Sequence, residues 1–175
     1  SLVVFLGSRV DAAFYNQSLY RGGQGLLPCS LGEVVGEGSD RAKAAHIAGD
    51  LGDHPFLGLF REQQTIKLTS PLFFRYRRLE GAEGRPDVRV VCRFEGGAPA
   101  LVEAKVGRGR VVVFASTADD AWTDLPSWPA YLALVQEVFT QVARDPGEQR
   151  NVMVGQPLVA HLAPRLFGKP VGLLR

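Results

Sequence analysis

The spacing of apolar and polar residues predicts strands and helices that follow one another along the chain. Residues 2–6 form a continuous apolar run that ends in Gly7, a pattern typical of a central strand buried on both faces of a parallel sheet. Ala12, Tyr15 and Leu19 then recur at helical spacing, and Asp11 precedes them in the position of an N-cap. The chain is therefore expected to begin with a buried strand followed by a helix.

The strongest strand patterns lie in the middle of the chain. Residues 88–94 and 100–106 alternate between apolar and polar, and Glu95-Gly96-Gly97 separates them, which predicts a β-hairpin. A Gly-Arg-Gly turn at residues 107–109 then leads into the apolar strand 110–115. Residues 71–79 are interpreted as a further strand.

A long amphipathic helix follows the strand at 110–115. Tyr131, Leu134, Val138 and Val142 keep helical spacing, and Asp145-Pro146-Gly147 ends the pattern. The order of strand, loop and covering helix indicates an α/β fold.

Three shorter segments are less regular. Residues 26–33 are interpreted as an irregular loop, and residues 56–60 as a short helix that begins near Pro55. Residues 42–48 fit either a brief strand or a helical turn.

The pattern changes after Asn151, where short strand-like pieces alternate with proline and glycine. We interpret residues 1–146 as one α/β domain and residues 147–175 as a linker and the start of a small β module. Because the chain opens directly on a buried-type strand, we expect it to be a piece of a longer protein that holds only part of the domain.

The loop between strand 110–115 and the last helix carries the best candidates for chemistry. In open α/β sheets, ligands usually bind at the loop that follows such a strand. The candidate ligand-binding residues are Ser116, Asp119, Asp120, Trp122 and Asp124. The three aspartates could bind calcium, although helix capping and solvation explain them better. No resident metal or other cofactor is expected.

Composition excludes several functional classes. A chain of 175 residues with 46% hydrophobic and 22% charged residues can bury a core and is not disordered. A net charge of +2 is too small to indicate nucleic-acid binding, and the alternation through Arg75-Tyr76-Arg77 is interpreted as a solvated strand face.

Cys29 and Cys92 lack metal-ligand spacing, and a disulfide between them is left open. No apolar window is long enough to span a bilayer.

Residues 107–126 and 129–138, which read GRGRVVVFASTADDAWTDLP and PAYLALVQEV, resemble a domain of certain bacterial membrane proteins. Those proteins combine an aerotolerance-type N-terminal region, a von Willebrand factor A domain and a class I glutamine-amidotransferase-like domain. The resemblance covers residues 1–145 and implies a flavodoxin-like, three-layer fold of which this chain holds the later half. It also implies a soluble, extracytoplasmic domain of a membrane-anchored protein in the cell envelope.

The same resemblance implies that this chain does not hydrolyse glutamine. An active amidotransferase of this class has a histidine and a glutamate after a late strand, where this chain has residues 116–122, reading STADDAW. Cys29 follows Pro28 in a predicted loop and does not match the nucleophile elbow.

The leading hypothesis is a non-catalytic module that recognises a protein partner or a small ligand. A second hypothesis is a divergent hydrolase with its site at Ser8, Ser116, Asp119 and Asp120. A third is a carbohydrate-binding domain that uses Trp122 and Trp128. An open polar pocket at this edge of the sheet would favour an enzyme, and tryptophans filling the edge would exclude one. Because the first strand is expected to lack neighbours, we also predict a homodimer formed through a sheet edge or an apolar helix face.

Overall fold

The computed structural model describes residues 1–38, 40–62 and 65–143. The chain divides into one compact unit, Ser1–Ala143, and a second unit, Arg144–Arg175. The predicted β module lies outside the described residues, and the domain boundary at residue 146 stays a prediction.

The main sheet has four described strands, which in chain order are β1 (Leu2–Phe5), β4 (Val88–Arg93), β5 (Pro99–Val106) and β6 (Gly109–Phe114). Their spatial order across the sheet is β1, β6, β5, β4. Strand β1 pairs with β6 in parallel, and β5 is antiparallel to both β6 and β4. The predicted α/β class and the predicted hairpin 88–106 are confirmed. In the described sheet β6 lies in the interior and β1 lies at an edge, as expected of a first strand that lacks neighbours, and a central position for β1 stays a prediction.

A second sheet pairs β2 (Ser30–Val35) with β3 (Tyr76–Glu80) in antiparallel register, interrupted between Leu31 and Val34. Residues 26–33 are therefore not all loop. The expectation of a solvated face through Arg77 is also wrong, since this side chain is buried. Its Nη1 donates to the carbonyl of Gly32 at 2.9 Å and its Nη2 to that of Val10 at 3.4 Å. Arg77 thus ties the second sheet to the loop that follows β1.

Several short helical segments and one long helix complete the described fold. Helix α1 (Ala12–Tyr15) begins at Asp11, whose carboxylate accepts from the N–H of Phe14, and it continues as a π-helical turn through Asn16–Tyr20. Helix α2 (Gly58–Glu62) follows a 3-10 turn at Pro55–Leu57, and another 3-10 turn lies at Arg41–Lys43. Helix α3 (Pro129–Ala143) is the long helix that the sequence predicts.

Helix α3 runs antiparallel to β6, and hydrogen bonds anchor both of its ends. Near its start, the Tyr131 hydroxyl donates to the carbonyl of Ala118 at 2.9 Å. Near its end, the carbonyl of Val142 accepts from Ser1 Oγ at 3.0 Å. The helix therefore packs back along the strand that precedes it. Among the described helices, none is long and apolar enough to cross a membrane.

Gly25 lies where the chain leaves the π-helical turn, and its lack of a side chain is required there. A Cβ at this position would be 1.9 Å from the carbonyl oxygen of Leu19. We expect Gly25→Ala to lower the free energy of unfolding by about 3 kcal/mol, because the clash is with backbone that cannot rotate away. Urea denaturation would measure the loss.

Gly96 provides the control for this prediction, because a Cβ there would meet nothing within 4 Å. Gly96→Ala should change the unfolding free energy by less than about 0.5 kcal/mol. Equal effects at Gly25 and Gly96 would contradict the close approach at Gly25.

Candidate functional site

The loop at residues 116–125 lies at the carboxyl end of β6, where the sequence places the candidate residues. Ser116 is fully buried at 0% exposure, and its hydroxyl donates to the carbonyl of Arg75 at 3.0 Å. Its own carbonyl accepts from the N–H of Leu6 at 3.0 Å. Both polar groups of Ser116 therefore join neighbouring segments, and its oxygen cannot be reached from solvent.

Thr117 makes hydrogen bonds within the next part of the loop. Its hydroxyl donates to the carbonyl of Asp119 at 2.9 Å and accepts from the N–H of Trp122 at 3.3 Å. The Asp119 carboxylate accepts from the N–H of Ala121 at 3.1 Å, a local turn bond of the kind that aspartate commonly makes. Asp119 and Asp120 are exposed, so their carboxylates line no enclosed pocket.

Trp122 fills the space beneath the loop, with only 3% of its surface exposed. Its carbonyl accepts from the N–H groups of Phe74 and Arg75 at 2.8 and 3.1 Å. The indole ring and the backbone of Trp122 together close this edge of the fold against residues 71–75, the segment that precedes β3.

The end of the loop is attached to Leu72. The Thr123 hydroxyl donates to the Leu72 carbonyl at 2.8 Å, and the Asp124 carboxylate accepts from the Leu72 N–H at 2.7 Å. The same carboxylate oxygen of Asp124 accepts from the indole N–H of Trp128 at 3.1 Å. Asp124 therefore organises the approach to α3.

The structure thus brings Asp124 and Trp128 into contact, but the two tryptophans differ in their exposure to solvent. Trp128 is 38% exposed whereas Trp122 is buried, so they do not present one continuous stacking surface. Ser116 donates to a backbone carbonyl and not to a histidine or carboxylate. Across residues 1–38, 40–62 and 65–143, no three His, Cys, Asp or Glu side chains cluster as metal ligands.

A buried ionic network lies elsewhere, on β5, and the sequence analysis did not single it out. Glu103 accepts from His54 Nε2 at 2.9 Å through one oxygen and from Arg110 Nη1 at 2.9 Å through the other. Burial alone raises the pKa of Glu103, but its hydrogen bonds to His54 and Arg110 and the positive charge of Arg110 outweigh that effect and hold the pKa below its ordinary value. The available sequence signal was Glu103 within residues 100–104 of β5, which are otherwise apolar.

His54 does not serve as a proton relay in this network. Its Nδ1 accepts from the N–H of Phe56 at 3.3 Å, which caps the turn at Pro55–Leu57 as the sequence predicts. The ring proton therefore resides on Nε2, which Glu103 accepts. A cleft of about 360 Å³ borders His54 and Arg89, but both ring nitrogens already have protein partners. The network is a structural link between β5 and the turn at residues 55–57.

Both cysteines are free and buried. Burial raises the pKa of Cys29 and of Cys92 to about 12, which keeps both thiols protonated and unreactive near neutral pH. Neither sulfur has the low pKa of a nucleophile.

Comparison with known proteins yields fold similarity alone. No family model and no curated protein matches the chain. The solved structure of Cytoplasmic Protein STM1381 from Salmonella typhimurium LT2 matches with a TM-score of 0.57 and 18% identity, over 75% of this chain and 49% of that one. Cytoplasmic Protein STM3548 from Salmonella typhimurium matches with a TM-score of 0.46 and 22% identity, over 65% and 44%. The chain spans less than half the length of either protein.

This comparison contradicts the expectation that the chain lies outside the cytoplasm, in the cell envelope. The protein that shares the fold at a TM-score of 0.57 is described as cytoplasmic, which points away from an extracytoplasmic domain.

Truncating Trp122 tests whether it is the closing element of the loop. We expect Trp122→Ala to lower the free energy of unfolding by about 3–5 kcal/mol, because it leaves a large buried cavity. Trp128→Ala, which removes a partly exposed ring, should cost about 1 kcal/mol. Chemical denaturation of both variants measures the two losses of unfolding free energy. A loss at Trp122→Ala as small as that at Trp128→Ala would argue against a closed loop.

The Glu103 network predicts a specific dependence of stability on pH. Because the pKa of Glu103 is below its ordinary value of 4.5 in the folded state, its ionised form stabilises the fold above about pH 4.5. That contribution is lost as pH falls through the lowered pKa. Glu103→Gln should lower stability at pH 7 and flatten the decline on acidification, measured by urea midpoints between pH 7 and pH 3.

Asp119→Asn is the control for the Glu103 variant, because Asp119 is an exposed carboxylate with a local backbone partner. It should leave the acid profile close to that of the unmodified protein. If Glu103→Gln and the unmodified protein lose stability in parallel, Glu103 does not contribute to acid unfolding.

Proposed function

We propose that the chain is a non-catalytic protein-interaction module. The observation that carries this proposal is the closure of the loop at residues 116–125, where Trp122 fills the space and the Ser116 hydroxyl is fully buried. A site that binds or transforms a small molecule needs polar groups directed into an accessible concavity. In this loop, the buried polar groups are directed at neighbouring backbone instead.

We further propose a flavodoxin-like, amidotransferase-like ancestry, which rests on the sequence resemblance. The parallel pair of β1 and β6, followed by α3 packed back along β6, is compatible with that architecture. The antiparallel strands β5 and β4 would then be an extension of the parallel part. No catalytic property of amidotransferases is carried over, because the positions after β6 lack the histidine and glutamate.

The two alternative functions have less support among the described residues. The hydrolase needs an accessible nucleophile, and of its two candidate serines Ser8 is exposed whereas Ser116 is buried behind its bond to Arg75. The carbohydrate-binding domain was expected to use both tryptophans, and of the two Trp128 alone is exposed enough for stacking.

The surface of α3 is better suited to binding a protein. Leu132 is 62% exposed and Phe139 is 52% exposed on this one helix. Large apolar side chains grouped on an outer helix face commonly mark contacts with another protein.

A fluorophosphonate probe tests the non-catalytic proposal. The probe phosphonylates serine hydroxyls that an enzyme has activated, with loss of fluoride, so we expect no label on this chain, with a known serine hydrolase in the same tube as the positive control. Intact mass measurement detects the adduct. Labelling that disappears in Ser116→Ala and remains in Ser8→Ala would overturn the proposal in favour of a hydrolase.

A further inference from the structure

The outer edge of β4, on the side away from β5, is only partly covered. In the described sheet, β5 is the one strand that pairs with β4. The segment at residues 46–48 covers one end of the outer edge, where Ile47 forms an antiparallel bridge with Phe94, the residue after β4. Among the described residues, no segment pairs with the edge at residues 88–91. That stretch of β4 is therefore an open strand edge.

The register of the hairpin shows which backbone groups of β4 face the open edge. The Lys105 N–H donates to the Asp87 carbonyl at 3.0 Å, and three residues further along β4 Val90 lies opposite Val102 in the same register. In an antiparallel ladder, hydrogen-bonded pairs alternate with pairs whose backbone groups point away from each other. Val90, and Val88 before it, therefore direct their N–H and C=O groups to the open edge.

Three backbone groups at this edge have no partner among the described residues: the Val88 carbonyl, the Val90 N–H and the Val90 carbonyl. The Val88 N–H instead donates to the Arg85 carbonyl at 3.2 Å. Val88 is buried and Val90 is half-buried, and backbone groups at such positions are nearly always paired, with protein or with water. The edge is thus ready to accept a further strand.

A cleft of about 360 Å³ lies against this open edge. Two segments line it, residues 52–54 and residues 89–91. His54 bonds Glu103, whose position directly opposite Arg89 places the side chains of Glu103 and Arg89 on one face of the sheet. Residues 52–54 therefore lie over that face beside β4. The volume of the cleft is within the range of ligand-binding sites.

Arg89 and Asp53 are the charged groups of this cleft, and neither has a partner among the described residues. Both side chains are exposed. The two oxygens of Glu103 are already bonded by His54 and Arg110, so the Arg89 guanidinium remains available to another carboxylate. Because Asp53 balances the charge of Arg89, the cleft presents no net positive field to a phosphate or a polyanion.

We infer that the open edge of β4 binds an extended peptide as an added antiparallel strand, an inference that rests on the proposed interaction function. An acidic side chain of the peptide pairs with Arg89. Peptides that add a strand gain affinity from main-chain hydrogen bonds and specificity from alternate side chains. Residues 46–48 already pair with the same edge in the antiparallel direction, and the peptide continues that pairing.

The unpaired backbone groups select the register of the peptide. The peptide residue opposite Val90 exchanges two hydrogen bonds with it, as in a hydrogen-bonded antiparallel pair. The following peptide residue lies opposite Arg89 on the same face of the sheet, and this residue is the acidic one. The residue after that donates its N–H to the Val88 carbonyl. Three main-chain bonds and one exposed ion pair give weak binding, with a Kd of about 0.1–1 mM.

A peptide titration followed by NMR tests the strand addition. The probe is the acetylated and amidated pentapeptide Thr-Val-Glu-Val-Thr, added to about 5 mM to the isotope-labelled full chain. We expect saturable shifts of the backbone amides at residues 88–91. The counterpart with glutamine in place of glutamate should bind about threefold more weakly, which is the size of an exposed ion pair.

Backbone methylation of the probe tests the main-chain bonds. N-methylation of the first valine removes the N–H that the Val90 carbonyl accepts, and it should weaken binding at least tenfold. N-methylation of the glutamate is the matched control, because the N–H of that residue points away from β4 in this register. It should change the Kd by less than about twofold.

Arg89→Gln tests the charge pairing from the side of the protein. This variant should bind the glutamate and glutamine peptides equally, because the guanidinium that distinguishes them is gone. Arg9→Gln is the matched control, since Arg9 is exposed and does not line the cleft. It should keep the threefold preference for glutamate. Circular dichroism of each variant verifies folding.

The absence of saturable shifts at residues 88–91, or equal binding of the two N-methylated peptides, would overturn strand addition at this edge. Equal binding of the glutamate and glutamine peptides by the unmodified chain would overturn the pairing with Arg89. These results would leave the closed loop and the fluorophosphonate experiment unaffected. Labelling of Ser116 would instead overturn the non-catalytic function and leave the peptide titration standing, so the two failures are distinguishable.

Discussion

The burial of β6 is the constraint on which the rest of the structure depends. Residues 111–115 are all apolar, and none is more than 4% exposed. Such a strand needs a hydrogen-bonded neighbour on each edge and a covering layer on each face, because an unpaired backbone group buried away from water destabilises the fold. Strands β1 and β5 supply the edges, and α3 packs back along the strand to cover it.

The closed loop follows from how that buried strand ends. At Ala115 and Ser116 the chain is still fully buried, so its polar groups must find partners within the protein. Leu6, Arg75 and Arg77 provide them. A catalytic edge requires the reverse, with polar groups left unsatisfied until a substrate arrives. The bonds that allow this strand to end in the interior therefore occupy polar groups that a catalytic edge would leave available for a substrate.

The sequence predicted the elements that local residue patterns determine. It did not predict the features that depend on contacts with residues distant in the chain. The hairpin of β4 and β5 and helix α3 are confirmed because two glycines and a 3.6-residue period are local signals. Strand β2 was missed because its pattern is broken by Gly32 and its partner, β3, lies more than 40 residues away. The burial of Arg77 depends on carbonyls of Gly32 and Val10, which no local pattern encodes. The loop after β6 lies where the sequence predicted a loop, yet its closure depends on Leu72 and Phe74, from a different segment.

In this fold the buried charged side chains bond one layer to another instead of forming a binding or catalytic site. Arg77 uses carbonyl oxygens of two segments, and its buried Nε has no hydrogen-bond partner among the described residues. Glu103 joins β5 to the turn at residues 55–57 through His54. Because each charged group is engaged in holding one layer to another, moving it toward a ligand would open the core. The exposed surface of α3 instead includes the large apolar side chains Leu132 and Phe139, on which the proposed interaction function rests.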